Sequence, residues 1–307
     1  MTLSAGIDVG GTNLRIGVVE NERVIHQQRF IADFANICRK HSPNQAWQHI
    51  VAAITDPILD IQHTYPGIES IGIGFPGFID TLKGLVLQSP NLPGLQNVDL
   101  ASEISLRIGR PVVVENDAAA AAYGEFRLAQ SDIESLLYIG LGTGVGGGLV
   151  LNQRPYTGEH GAALEIGHML VEHSVTARLC GCGNRGCLEQ YASASGVSLS
   201  YQLSTGTHLD AAHIANLAKA GDSQARLAYQ KAGTYLAQTI AHVAKILDVS
   251  TVVIGGGLSN AWDLMEEAFN SQLHASLIPV LRENLSVRVS TSSDEAGIIG
   301  AALLSSL

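Results

Sequence analysis

Two stretches of this chain repeat one local plan, and that repetition limits the folds open to it. "LSAGIDVGGTNLRIGVVE" at residues 3–20 reads as strand, glycine turn, strand, and "SLLYIGLGTGVGGGLVLN" at 135–152 reads the same way. A third strand, "RVIHQQRF" at 23–30, makes the opening a β-meander. A helical stretch around Gln45 to His63 follows, broken or kinked near Pro57. The buried-type strand "SIGIGF", the helix "VDLASEISLRIG", the strand "PVVVE" and the Ala-rich helix "NDAAAAAYGEF" complete the first half. After the second opening comes a loop-rich stretch from Gly158 to Glu189, then helices at roughly 192–203, 210–219 and 222–247. Strand "TVVIGGG" leads to a helix beginning near Ser259, and "AGIIGAALLSSL" is an apolar helix. Runs of βα type with glycine-rich strand ends define an α/β class protein with a duplicated architecture.

Composition narrows the partners. A chain of 307 residues, 46% hydrophobic, is long enough for two cores. Its formal net charge of -10, with no stripe of Lys and Arg, offers a phosphate backbone little to neutralise, so neither nucleic acid nor an anionic membrane is an expected partner. No apolar run reaches the 18 or so residues that span a bilayer. With no export signal at the start, the expected location is cytoplasmic.

Three of the four cysteines fall within "CGCGNRGC". In a reducing compartment such a cluster holds metal more often than it forms disulfides. Cys180, Cys182 and Cys187 have the C-x-C-x4-C spacing of a thiolate clip, and a fourth ligand is needed. His168 of "EIGHML" is the candidate, with His173 as its rival. Cys3His is a closed tetrahedral zinc set, so the Zn²⁺ expected here is structural.

The turns carry further chemistry. Gly10, Gly11 and Thr12 let backbone N–H groups and a hydroxyl approach phosphate oxygens, and Asp8 beside them suits Mg²⁺, held through water. A plain hairpin turn is the alternative. Gly142, Gly144 and Gly147 satisfy G-x-G-x-x-G, but the dinucleotide motif needs a helix next, and "GGGLVLN" reads as strand. No G-K-[ST] follows either turn, which excludes a Walker A loop. What remains is a second phosphate-binding hairpin, with Thr143 matching Thr12. In "VVVENDAAAA", Asp117 stands at a positive helix N-terminus, where a carboxylate can serve as general base; capping by Asn116 or Asp117 is the simpler alternative. Glu165 and Glu189 flank the proposed zinc loop, where they suit sugar hydroxyls or are solvated surface charge.

Taken together, "DVGGTN", "GFPG", "END", "LGTGVGGG", "EIGH", "CGCGNRGCLE" and "IGGGLSN" resemble, in order and across nearly the whole chain, the ROK family of sugar kinases and repressors. The resemblance implies the actin-like (ribonuclease H-like) ATPase fold, with a cleft between two lobes: residues 1–115 with 291–307, and 116–290. It implies that Gly10, Gly11, Thr12 and Asn13, with Gly142, Thr143 and Gly144, face the ATP phosphates, and that Gly255, Gly256 and Gly257 lie under the adenosine. Asp117 becomes the catalytic base. Gly77, Asn116, Glu165, His168 and Glu189 contact the sugar, with Ser89 and Asn91 of "SPNLPG" in addition. His168 is then both zinc ligand and sugar neighbour, and the zinc clip stiffens the sugar pocket.

ROK repressors add an N-terminal helix-turn-helix, which this sequence does not display before its first strand, so a kinase is expected over a DNA-binding protein. The implied cofactors are ATP, Mg²⁺ and structural Zn²⁺, and the implied assembly is a homodimer. The expected reaction is transfer of the γ-phosphoryl group to a sugar 6-hydroxyl. N-acetylglucosamine is the expected acceptor on overall similarity, not on a diagnostic residue. Glucose is the alternative, then N-acetylmannosamine, fructose and allose. A non-catalytic sugar sensor and a nicotinamide-linked oxidoreductase are the readings from other classes.

Overall fold

The computed structural model describes residues 3–10, 13–90, 92–129 and 133–306, with the side chains of Ser293 and Asp294 left aside. Gly11, Thr12 and Asn91 of the expected site lie outside the described residues. The chain opens with strands β1 (Leu3–Val9), β2 (Asn13–Glu20) and β3 (Arg23–Ile31), then helices α1 (Phe34–Lys40) and α2 (Pro43–Thr64). Strands β4 (Ile68–Phe75), β5 (Phe78–Asp80), β6 (Leu85–Gln88) and β7 (Gln96–Asp99) follow. Helix α3 (Leu100–Ile108), strand β8 (Val112–Asn116) and helix α4 (Asp117–Leu128) come next.

The second opening supplies β9 (Leu136–Leu141), β10 (Val145–Leu151) and the short β11 (Arg154–Pro155). Beyond the loop-rich stretch lie helices α5 (Glu189–Ala192), α6 (Ala194–Thr205), α7 (Ala211–Lys219) and α8 (Ser223–Leu247). Strand β12 (Thr251–Gly255), helices α9 (Glu266–Ser276) and α10 (Pro279–Asn284), strand β13 (Ser286–Val289) and helix α11 (Ser293–Leu304) complete the order.

The repeated openings build repeated sheets. One sheet runs β3-β2-β1-β4-β8 and another β11-β10-β9-β12-β13, the same order of meander followed by two added strands. In the first, β1 pairs antiparallel with β2 and parallel with β4, and β4 pairs parallel with β8. In the second, β12 pairs parallel with both β9 and β13. Parallel strands buried on both faces explain why "SIGIGF" and "TVVIG" read as continuous apolar runs. A third, three-stranded sheet of β5, β6 and β7 lies within the sequence that carries Gly77 and Ser89.

Two compact units divide the chain: residues 1–134, 148–163 and 292–307 form one, and residues 135–147 and 164–291 the other. The first unit buries Ile7, Ile16, Ile50, Ile54, Ile71, Ile73 and Phe75 in one core. Helix α4 falls in this unit, whereas the expected lobe boundary at 115/116 assigns it to the second. The reason is contact with α11. Cβ atoms added at Gly6 or Gly72 would collide with backbone carbonyls of α11, and those at Gly124 or Gly300 with the carbonyls of Ala296 and Ala120, so sheet, α4 and α11 meet backbone to backbone. The second unit centres on α8, whose buried face includes Ala232, Leu236, Ile240 and Ala244.

Two expectations change, and a third is refined at its start. Helix α2 is not broken at Pro57, because Pro57 is buried on the same face as Ile50, Ile54, Ile58 and Ile61, and a Ser42–Gln45 capping box starts the helix firmly. The helix expected over 192–203 is α6, and the one-turn α5 stands before it, with Ser193, whose backbone is extended, ending one helix and capping the next. Residues 257–264 form a 3-10 turn ahead of α9, not the first part of an α-helix. Among the described residues, no helix is long and apolar enough to cross a membrane.

The glycine contacts generate a stability test. Replacing Gly300 by Val should destabilise the first unit by about 3 kcal/mol, because the added carbons meet rigid backbone. Gly67→Ala, whose methyl meets only the Leu3 side chain at 3.4 Å, should shift the urea midpoint little.

Candidate functional site

The first unit presents a carboxylate held by its neighbours. Asn116 ends β8 and caps α4, its Oδ1 accepting the N–H groups of Ala118 at 2.9 Å and Ala119 at 3.1 Å. Its Nδ2 donates to the Gly77 carbonyl at 2.9 Å. Asp117 is therefore the first residue of α4, half-buried, with Oδ1 accepting the Ala118 N–H at 2.9 Å. Of the two capping candidates in "END", Asn116 is the one that caps, and Asp117 follows as the first helical residue. Gly77 has a φ of 135°, and a Cβ there would lie 2.5 Å from the Gln88 carbonyl oxygen, so no other residue fits. Ser89, buried, donates to the Pro76 carbonyl at 2.7 Å. Gly77, Ser89, Asn116 and Asp117 thus form one connected group in which Ser89 supports the backbone and does not present a free hydroxyl.

Glu115 adds a titrating group behind this one. It is 7% exposed and accepts the Asn116 N–H at 2.8 Å. Burial pushes its carboxyl from 4.5 up to about 7, and that hydrogen bond offsets part of the rise.

At the first glycine turn, the Gly10 N–H donates to the Asn13 carbonyl at 2.8 Å and closes the hairpin. Asp8 precedes it on β1 and is ion-paired to Arg15 at 3.0 Å, with Gly297 of α11 beside it. Asn13 Oδ1 accepts from Arg29 Nε at 3.1 Å. Neither arginine is legible as a partner in the motif, because both pairings depend on the strand register of the meander.

The second unit contains the thiolate cluster. His168, Cys180, Cys182 and Cys187 bring one donor atom each within 4.8 Å of one another. His168 Nδ1 lies 3.7 Å from Cys180 Sγ, and the Cys182 and Cys187 sulfurs are 3.6 Å apart. A tetrahedron with zinc–sulfur bonds of about 2.3 Å has edges of about 3.7 Å, so the donor set fits Zn²⁺. His168 joins the cluster and the exposed His173 does not. Burial, with the neighbouring thiols, pushes the Cys187 thiol well above the usual range, so a cation is what would make this set a thiolate site.

Two carboxylates border the cluster. Glu165 Oε2 is 3.7 Å from His168 Nε2, and burial raises its carboxyl above the ordinary range, opposed by His168 and assisted by Glu189. Glu189 Oε1 lies 4.0 Å from Cys180 Sγ, while Oε2 accepts the Val145 N–H at 3.2 Å. A Cβ on Gly144 would collide with that carboxylate. The second glycine turn is closed by the Gly142 N–H to the Gly144 carbonyl at 3.0 Å, and the Gly142 carbonyl accepts the Ala194 N–H at 2.9 Å. Thr143 is exposed at its tip. Gly255 packs under Tyr138, Gly256 has a φ of 84° with a Cβ position 2.5 Å from the Leu141 carbonyl oxygen, and Gly257 is open. Tyr138 is the residue here that no motif signals.

These two units, each carrying a strand–glycine turn–strand hairpin, define the actin-like ATPase class of α/β protein. The sequence matches the model of the ROK family over residues 4–306, and the chain belongs to that family. It is 34% identical to an N-acetyl-D-glucosamine kinase of Citrobacter koseri, covering 97% of this chain and 98% of that one. It is 32% identical to a glucokinase of Thermotoga maritima, covering 97% and 95%. The structure of a ROK glucokinase from Streptomyces griseus in complex with glucose and AMPPNP superposes with a TM-score of 0.83 at 30% identity, covering 99% of both chains.

Glu115 generates a prediction in pH. The folded state keeps its proton between 4.5 and about 7, where the unfolded state has released it, so stability falls as pH rises through that window. Glu115→Gln should make the stability lost between pH 5 and pH 8 smaller by about 3 kcal/mol, read from urea midpoints at the two pH values.

Proposed function

We propose that this protein is a sugar kinase that transfers the γ-phosphoryl group of ATP to the 6-hydroxyl of N-acetyl-D-glucosamine. The observation that carries the reading is Asp117, fixed as the first residue of α4 by the Asn116–Gly77 hydrogen bond, in a chain that aligns end to end with a glucose- and AMPPNP-bound ROK glucokinase. Glucose is the second reading, supported by the glucokinases among the relatives.

In this reading Asp117 orients the 6-hydroxyl and takes its proton as the oxygen attacks phosphorus. Phosphoryl transfer asks little covalent work of the protein, so positioning and charge stabilisation dominate. Backbone N–H groups of the two glycine turns stabilise charge on the phosphoryl oxygens. Asp8 is the carboxylate that would hold Mg²⁺ through water, and Mg²⁺ when bound neutralises phosphate charge. Arg15, paired to Asp8 at 3.0 Å, keeps that carboxylate in place. Gly255, Gly256 and Gly257 lie under the adenosine.

The sugar is held by Gly77, Asn116, Glu165, His168 and Glu189, with Ser89 as support. Carboxylates accept hydroxyl hydrogen bonds bidentately, and Glu189 is already oriented by the Val145 N–H. Zn²⁺ is structural here: His168 and the three cysteines leave no open position, and the ion would order the loop that carries Glu165 and leads into Glu189. A homodimeric, cytoplasmic enzyme belongs to the same reading and rests on family membership alone.

A sugar panel with MgATP tests the function. The expected outcome is kcat/KM for N-acetylglucosamine at least about tenfold above glucose, N-acetylmannosamine, fructose and allose, a difference of about 1.4 kcal/mol. The reverse preference makes glucose the substrate, and no turnover with any of them overturns the kinase reading. Asp117→Asn should lower kcat about 10² to 10⁴-fold while leaving sugar affinity within a few-fold, and near-normal kcat would remove the base assignment.

A further inference from the structure

Helices α5 and α6 are consecutive in the chain and separated at the extended Ser193, and the break leaves two backbone groups in need of partners. In an unbroken helix the Ala194 N–H would donate to the Gln190 carbonyl. Instead the Ala194 N–H donates to the Gly142 carbonyl at 2.9 Å, on the second glycine turn. The Gln190 carbonyl accepts from Arg178 Nη1. Arg178 lies two residues before the first cysteine of the zinc loop, so a loop residue occupies the place of a helical hydrogen bond.

The guanidinium is held on every side. Nη1 also donates to the Gly196 carbonyl at 3.1 Å and Nη2 to Ser200 Oγ at 2.9 Å, so one planar fork spans α5 and α6. Its Cζ lies 4.4 Å from the centroid of the Tyr191 ring, and the Arg178 N–H donates to Tyr191 Oη at 3.1 Å. Tyr191 in turn meets the Tyr235 ring at a tilt of 52°, centroids 4.8 Å apart, and the Tyr235 hydroxyl donates to Glu172 Oε2 at 2.8 Å. Lys231 sits 5.3 Å from the Tyr191 centroid, so two cations share one aromatic ring. The buried Tyr191 and the C-terminal carbonyls of a one-turn helix are where a planar, weakly hydrated cation is favoured over an ammonium.

Glu189 is the residue immediately before this clamp. Its carboxylate must reach back to the Val145 N–H, and its own carbonyl accepts from Ser193 Oγ at 2.7 Å. With α5 only four residues long, nothing inside the helix can fix its direction. From this we infer that Arg178 is a positioning residue for Glu189: by holding the α5–α6 break, it keeps the Glu189 carboxylate aimed at the position where the sugar hydroxyls bind. The inference rests on the reading of Glu189 as a sugar contact. Zn²⁺ would order the loop on its cysteine side, and Arg178 ties the same loop to the helices independently of the metal ligands.

The test is a double-mutant cycle of Arg178→Lys and Glu189→Gln, with KM for the sugar, kcat and zinc content measured on each purified protein. Lysine keeps the charge but cannot span three acceptors and a ring. Arg178→Lys should raise sugar KM about tenfold, the size typical of losing a support behind a ligating group, with zinc content unchanged. A variant that merely loses stability lowers the active fraction, and hence kcat, without moving KM. In the double variant, sugar KM should stand close to that of Glu189→Gln alone. If Glu189→Gln raises sugar KM and Arg178→Lys leaves it within twofold, or the two effects multiply in full, the positioning role is overturned while the sugar contact stands. If Glu189→Gln leaves KM unchanged, the sugar contact itself fails and the positioning role with it. Should Arg178→Lys not fold, Ser200→Ala removes one acceptor of the fork; a few-fold rise in sugar KM is then expected, and an unchanged KM overturns the inference.

Discussion

The first unit depends on backbone lying directly on backbone. Helix α11 reaches β1, β4 and α4 only because Gly6, Gly72, Gly124 and Gly300 carry no side chain at the points of closest approach. Close packing of this kind leaves no slack, since interiors are filled at crystal-like density and rigid carbonyls cannot rotate aside as a side chain would. Everything the unit presents follows from that seat. Asp117 begins the helix that α11 packs against, and Asp8 stands beside Gly297 of α11 itself. The carboxylates of Asp117 and Asp8, proposed as general base and as Mg²⁺ holder, are therefore both referenced to one helix.

The second unit uses a different device for the same end. The groups proposed to meet the sugar sit on a loop and a four-residue helix, neither of which is rigid by itself. Rigidity comes from cross-links: the Glu189 bond to the Val145 N–H, the Ala194 bond to Gly142 and the Arg178 fork, to which Zn²⁺ on the His168 and cysteine donor set would add another. Glu189 is the hinge point of this arrangement, because one carboxylate lies between the thiolate cluster and the second glycine turn. Gly144 leaves room for it, so packing against Glu189 by itself requires a glycine in that turn.

Most of the architecture was legible because both halves advertise themselves. The strand, glycine turn, strand pattern is a period-2 signal bounded by small residues, and it recovers the whole first meander and the first two strands of the second, but not the two-residue β11. The three-stranded sheet of β5, β6 and β7 was not legible, since strands of three or four residues such as Phe78-Ile79-Asp80 are too short to show alternation. Of the break or kink expected at Pro57, the break does not occur: the helix face that carries Pro57 is buried, and that outweighs the local rule. At the site, the clustering of Cys180, Cys182 and Cys187 was readable from spacing, whereas only the fold brings His168 and not His173 to them. Arg15 on Asp8, Glu189 on Val145 and Tyr138 against Gly255 join residues distant in sequence or set by strand register, and no local pattern announces them.

The seat of α11 also sets the order in which the molecule can be completed during synthesis. The strands it closes over lie between residues 3 and 75, whereas the helix begins at Ser293. A nascent chain must therefore emerge past all of residues 164–291 before the glycine faces of β1 and β4 are covered. Until then an apolar sheet face waits open, and the closing contact carries the entropy of a very long loop. The second unit is under no such delay, since its later segment is contiguous from 164 to 291. The unit whose chain starts first is thus the one that finishes last, and its exposed sheet is the surface a chaperone would have to protect.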